Sequence, residues 1–233
     1  MAKKSKKVAK APTQIEANVG EIFSKSEKFI DTYKNQIIIA VTALILIVAA
    51  VLGIRQYYFL PKENEARAAI FPGQNYLASQ QWELALNGDG KDYIGFLGII
   101  EDYGMTKTAN LAKACAGICL YHLNSQEEAM DYLKKYKEND EIFAPVIKGL
   151  IGDCFVDSGE VEEGIKFFNK AASEANHPLI SPIFLKKAAI AYESIYDYTN
   201  ALKTYETIKN KYPDSQEASD IEKFIERATM QIK

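Results

Sequence analysis

The sequence predicts an all-α protein in which one membrane-spanning helix near the N-terminus carries an array of antiparallel helix pairs. Three observations lead there. The 233-residue chain holds one uncharged apolar run, Ile37 to Ile54. Beyond it, apolar residues recur at helical rather than alternating spacing, and breakers fall between the periodic segments. The same order of small and large apolar residues then returns three times, at intervals of 35 and 37 residues. Hydrophobic content of 48% and charged content of 25% are ordinary for a globular chain, which excludes wholesale disorder.

Residues 1–36 form a basic tail with eight lysines and four acids, a net charge of +4. Its opening, MAKKSKKVAKAP, is low in complexity and has too little apolar surface to pack, so disorder is expected there. From Thr13 to Tyr33, Ile15, Val19, Ile22, Phe23, Phe29 and Ile30 recur at helical spacing. This pattern fits a short amphipathic helix lying at the cytoplasmic interface of a membrane; a solvated tether is the alternative.

Residues 37–58 are assigned to the transmembrane helix. Its 18-residue apolar core has Thr42 as its one polar residue. At about 1.5 Å per residue this core is about 27 Å long, close to the thickness of a bilayer interior. Tyr33 precedes it and Tyr57, Tyr58 and Phe59 follow, so aromatic rings stand at both interfaces. The charged region before the run and the run itself are both longer than a signal peptide needs. The small residues Ala49 and Ala50 keep cleavage as a lesser alternative. Eight lysines precede the span, whereas Arg55, Lys62 and Arg67 closely follow it. The positive-inside rule therefore puts the N-terminus in the cytoplasm and the rest of the chain across the membrane.

Residues 62–233 form the soluble domain. From residue 61 onward the net charge is −8, which argues against nucleic acid as partner, because phosphate binding needs a basic footprint. The stretch Pro182 to Ser215 is 34 residues long. Its positions 4, 7, 8 and 11 are Leu185, Ala188, Ala189 and Tyr192, and positions 20, 24 and 27 are Ala201, Tyr205 and Ile208, with Pro213 at 32. Small residues at 8 and 20 let two antiparallel helices touch, large ones fill the groove beside them, and the proline ends the second helix. This is the tetratricopeptide pattern. The frame fits again from Pro145, with Gly152, Phe155, Gly164 and Phe168 at 8, 11, 20 and 24, and from Asn110, with Gly117, Leu120, Ala129 and Leu133 there. Lys113 and Lys148 depart from it at position 4. The expected array is a right-handed superhelix with repeats at 110–143, 145–178 and 182–215. A degenerate unit over 62–105 precedes them and a solvating cap helix over 219–233 follows. In the degenerate unit, Lys62 to Gln81 is expected as the first helix and DYIGFLGIIEDYG as the second.

No catalytic constellation emerges: there is no phosphate-binding glycine motif, no G-x-S-x-G and no H-E-x-x-H. No enzyme activity, cofactor, metal or small-molecule substrate is expected. His122 and His177 lack an evident nucleophile or metal partner, and Asp153 and Asp157 read as an exposed helix face. The glycines of Gly88-Asp89-Gly90 read as a turn. Cys115, Cys119 and Cys154 read as small buried residues, with a Cys119–Cys154 disulfide open if the domain faces an oxidising compartment.

Such arrays present a concave surface built from positions 2, 5, 9 and 12 of each first helix. The candidate peptide-binding residues are Ile118 and Tyr121, then Asp153 and Val156, then Lys186, Ile190 and Glu193. A mixed apolar and charged lining suits an extended or helical peptide, with Tyr121 as the leading anchor. Clamps that grip a C-terminal carboxylate use lysines and asparagines at these positions. Lys186 has no matching asparagine, so that function is not carried over.

A short basic tail, one signal-anchor helix and a tetratricopeptide domain of this size resemble the bacterial YfgM-like family, which includes an ancillary subunit of the SecYEG translocon that works with periplasmic chaperones. The segments QWELALNGDG and TANLAKACAGICLYHL also look like membrane-anchored tetratricopeptide proteins of Bacteroidetes. The resemblance implies the inner membrane of a bacterium, with the domain in the periplasm. It implies protein partners there: translocon subunits, periplasmic chaperones or secretory polypeptides. An adapter for another cell-envelope complex is the alternative.

Overall fold

The computed structural model describes residues 14–137 and 140–232, with side chains from Thr32 onward. The low-complexity opening and the side chains of the amphipathic segment lie outside these residues. The chain divides into two compact units, Met1–Tyr58 and Phe59–Lys233. Among the described residues there is no strand.

The first unit contains α1, Gln14–Ile54, one helix of 41 residues. A separate short helix was expected before the span, yet α1 runs through both segments. The link Lys34-Asn35-Gln36 holds neither glycine nor proline, so nothing local breaks the helix. From Thr32 to Leu52 every side chain is exposed, the apolar ones included. It is the one helix among the described residues long and apolar enough to cross a membrane. A helix satisfies its own backbone groups, which is what a hydrocarbon interior requires. A π-helical turn, Arg55–Phe59, follows.

The second unit begins with α2 (Leu60–Ala78), α3 (Trp82–Asn87) and α4 (Gly95–Asp102). Three helix pairs follow: α5 (Lys107–His122) with α6 (Gln126–Lys135), α7 (Phe143–Asp157) with α8 (Val161–Ala175), and α9 (Ser181–Ser194) with α10 (Tyr198–Lys211). A 3₁₀ turn, Gln216–Ala218, leads to α11, Ile221–Ile232.

Each pair closes through the same turn. In α5–α6 the Asn124 amide donates to the Tyr121 carbonyl and the Ser125 amide to that of Leu120. The Gly159 and Glu160 amides do the same to Val156 and Phe155, and the Tyr196 and Asp197 amides to Glu193 and Tyr192. The residue at position 15 is left-handed every time: Asn124 (φ 62°), Gly159 (φ 85°) and Tyr196 (φ 63°). This arrangement satisfies the carbonyls that a helix end leaves orphaned.

The turn also exposes a hidden frame at the start of the array. Gln80 is left-handed (φ 57°), and the Gln80 and Gln81 amides donate to the Leu77 and Tyr76 carbonyls. Counting back from Gln80 as position 15 puts Gly73 at 8, Tyr76 at 11 and Ala85 at 20. The second helix of this degenerate repeat is thus split. Its beginning is α3, which carries fully buried Ala85, and α4 resumes after the Gly88–Gly90 turn. Asp89 organises that turn, accepting from the Lys91 and Tyr93 amides and from the Tyr76 hydroxyl.

Small residues let the paired helices meet. A Cβ on Gly152 would stand 2.8 Å from the Phe168 ring and 3.1 Å from the Gly164 carbonyl oxygen, so α7 and α8 touch backbone to backbone. A Cβ on Gly117 would stand 2.5 Å from Leu133. Between repeats the fit is as close: Phe184 of α9 seats where a Cβ on Gly149 of α7 would lie. Helix starts are capped by side chains. Thr106 accepts from the Ala109 amide, Glu63 reaches from α2 to accept from the Lys107 amide and the Thr108 hydroxyl, and Asp140 accepts from the amides that open α7.

Candidate functional site

The seven candidate residues lie on the first helices of their pairs: Ile118 and Tyr121 on α5, Asp153 and Val156 on α7, and Lys186, Ile190 and Glu193 on α9. Their surroundings differ. Ile118 and Tyr121 are half-buried against the first core cluster, and Val156 is half-buried against α8, its Cγ2 filling the space beside Gly164. Ile190 stays 46% exposed. On the same frame, at position 2, Val146 and Ile183 are 39% and 40% exposed. Ile183 and Ile190 are seven residues apart and share one face of α9.

The three charged candidates join neighbouring helices. Asp153 accepts from the Lys187 ammonium at 2.6 Å, tying α7 to α9. Lys186 reaches Asp220, the residue before α11, at 2.6 Å, and Glu193 pairs with the Arg227 guanidinium of α11 through both carboxylate oxygens. Phe224 lies between these last two pairs, with the Lys186 ammonium 4.6 Å and the Arg227 guanidinium 4.8 Å from its ring centre. The partners Lys187, Asp220 and Arg227 had not been singled out from the sequence. The signal was present, since each lies 34 residues after its mate, one repeat length.

Electrostatics follow burial. Burial pushes the Asp153 carboxyl above its usual range although Lys187 opposes it. The Tyr121 hydroxyl is pushed up to about 12, first by burial and then by the carboxylates of Asp153 and Asp157. Tyr121 is therefore a ring packed between repeats with its hydroxyl turned to the acids of the next. Lys186 holds the Asp220 carboxyl below its ordinary value. The Tyr205 hydroxyl is buried beside the Glu193–Arg227 pair.

Both histidines have structural surroundings. His122 stacks on Trp82 with ring centres 4.1 Å apart, and His177 Nδ1 accepts from the Leu179 amide. All three cysteines are buried thiols; burial pushes Cys115 and Cys119 up to about 12 and Cys154 up to about 11. Among the described residues no three metal-ligating side chains come together.

The tetratricopeptide repeat family matches residues 184–215, the α9–α10 pair. Two solved structures of a presumptive kinesin light chain of Podosopora anserina, described as nearly identical TPR-like repeats, share the fold. The first superimposes with a TM-score of 0.56 at 11% identity over 72% of this chain and 87% of that one. The second, a substituted form of the same protein, gives 0.55 at 10% identity over 72% and 86%. No curated protein matches this chain. At such identities the likeness carries the fold alone. That fold is a tetratricopeptide-like helical array accompanied by one long apolar N-terminal helix, an architecture of protein–protein interaction modules.

Proposed function

We propose that this chain is a membrane-anchored, non-catalytic interaction module whose array receives polypeptide on the shared face of its first helices. The observation that carries the reading is the row of exposed aliphatic side chains Val146, Ile183 and Ile190 on successive first helices, in a chain that also holds an apolar helix. Exposed apolar surface on a rigid array is what an apolar peptide face would cover. The lysine-rich tail supports an N-terminus in the cytoplasm of a bacterium and an array in the periplasm. That placement, with the resemblance to translocon-associated proteins, supports a role in Sec-dependent translocation or periplasmic chaperoning. The anchor residue differs from the one the sequence favours: Ile183 and Ile190 are open, whereas Tyr121 is half-buried.

Photo-crosslinkers at Ile190 and at Leu46 of the apolar helix test this. The Ile190 probe should capture secretory chains or chaperones, and the Leu46 probe a translocon subunit. No adduct at Ile190 alongside capture at exposed Glu206 on α10 would move the binding surface elsewhere. Capture of an unrelated envelope complex at Leu46 would replace the translocon role with that of an adapter.

A further inference from the structure

The second helices of the three pairs are unequal. α8 and α10 have 15 and 14 residues, whereas α6 has 10 and stops at least one turn early. Two side chains end it. The Asn110 carboxamide oxygen takes the Lys137 amide, and the Tyr136 hydroxyl reaches Asp140, which holds the start of α7. Beside the end of α6 lies a cleft of about 440 Å³ floored by half-buried Phe167 and by Leu133, Ile147 and Ile151, which are nearly covered. Lys134, Lys137 and Lys148 rim it, in a part of the chain whose net charge is −8. The Lys148 ammonium is engaged by Glu174, and that of Lys134 lies 4.8 Å from the centre of the Phe155 ring.

This cleft is separate from the shared face of the first helices. Leu133 and Phe167 belong to second helices, and Ile147 and Ile151 stand at positions 3 and 7 of α7 rather than at 2, 5, 9 or 12. Its volume suits one or two large side chains, within the usual range of about 300–1,000 Å³ for small binding pockets. An apolar floor with a lysine rim is complementary to an apolar residue flanked by carboxylates. A basic peptide would meet like charge, and a wholly apolar one would leave the rim unused.

We propose that the cleft beside the end of α6 is a second docking site, taking an acidic peptide segment of a partner protein that inserts one or two large apolar side chains. The test uses the full chain in mild detergent and a fluorescein-labelled peptide, Asp-Glu-Trp-Leu-Glu-Asp, read by fluorescence anisotropy. The expected result is saturable binding below about 1 mM, weakened roughly tenfold or more by the double variant Lys134→Glu/Lys137→Glu. Both lysines are exposed, so the variant should keep the circular-dichroism melt of the parent. The variant Ile183→Asp/Ile190→Asp should bind within about twofold of the parent, which separates this site from the aliphatic face. Equal binding of Lys-Lys-Trp-Leu-Lys-Lys would overturn the proposal. So would an unaffected Lys134→Glu/Lys137→Glu variant, or loss of binding in the Ile183→Asp/Ile190→Asp variant. Displacement of the peptide by dihexanoyl phosphatidylglycerol would reassign the cleft to lipid headgroups. Self-association that vanishes in the lysine variant would reassign it to a second copy.

Discussion

Where α6 meets α7, the second helix is short and a cleft opens beside Phe167, rimmed by Lys134, Lys137 and Lys148, the last of them paired with Glu174. Where α9 meets α11, opposite charges pair across the boundary and Phe224 lies between two cations. The first boundary joins a second helix to the next first helix, the second joins a first helix to the helix one repeat on, and the two differ also in helix length and charge order. In a repeat protein each unit contacts only its neighbours, and stability is close to a sum over junctions. One junction can therefore loosen while another is closed, without a change of fold. The α6–α7 boundary is a candidate for recognition because it keeps a cleft beside Phe167.

Replacing one phenylalanine at each kind of boundary tests that contrast most strongly. Phe184 is buried over Gly149 at the closed α7–α9 contact, and Phe167 is half-buried on the cleft floor. Phe184→Ala should cost about 3 kcal/mol or more, and Phe167→Ala about 1 kcal/mol, read from thermal melts of the full chain. Equal losses would mean that the two boundaries are packed alike.

A smaller effect is expected at the C-terminal charges. Arg227 is about half exposed and Glu193 nearly covered, so solvent screens the pair only in part. Arg227→Ala should cost about 1 kcal/mol or less, and a double-mutant cycle with Glu193→Ala should show coupling that shrinks in high salt. Additive single effects would remove the pair from any account of how α11 is held.

The smallest change has the opposite sign. Tyr196 is 80% exposed and left-handed, a conformation that strains a bulky residue by about 1 kcal/mol. Tyr196→Gly should raise stability by about 0.5 kcal/mol, since glycine relieves strain but loosens the unfolded chain. Asn124→Gly in the equivalent turn should change little, because asparagine tolerates this conformation. A lower melting temperature for Tyr196→Gly would show that the exposed ring makes a contact worth more than its strain.

Much of the fold was legible because the repeat rule is steric. Gly152 opposite Gly164 and Gly117 against Leu133 are the contacts that small residues at positions 8 and 20 imply. The frame of the degenerate first repeat was not legible, because the Gly88–Gly90 turn splits its second helix and moves its large residues out of register. The early end of α6 was hidden for a different reason. Leu133 and Tyr136 stand where the pattern wants them, yet Asn110, 27 residues away, accepts from the Lys137 amide, and the Tyr136 hydroxyl donates to nearby Asp140. At the candidate face, position in the repeat gave the helix but not the exposure. Asp153, Lys186 and Glu193 are charged residues that turned out to be bound to a neighbouring helix.

The charges at and just before α11 are also tied to the length of the repeat. Lys186 and Glu193 each meet an opposite charge 34 residues on, and the unit Pro182 to Ser215 is itself 34 residues long. Copying that unit once and inserting it ahead of α11 would set lysine against lysine and glutamate against glutamate at the new boundary. Such a copy would replace two opposite-charge pairs by like-charge ones at its boundary. The final helix thus carries charges matched to the unit before it, a match that a second copy of that unit would not supply.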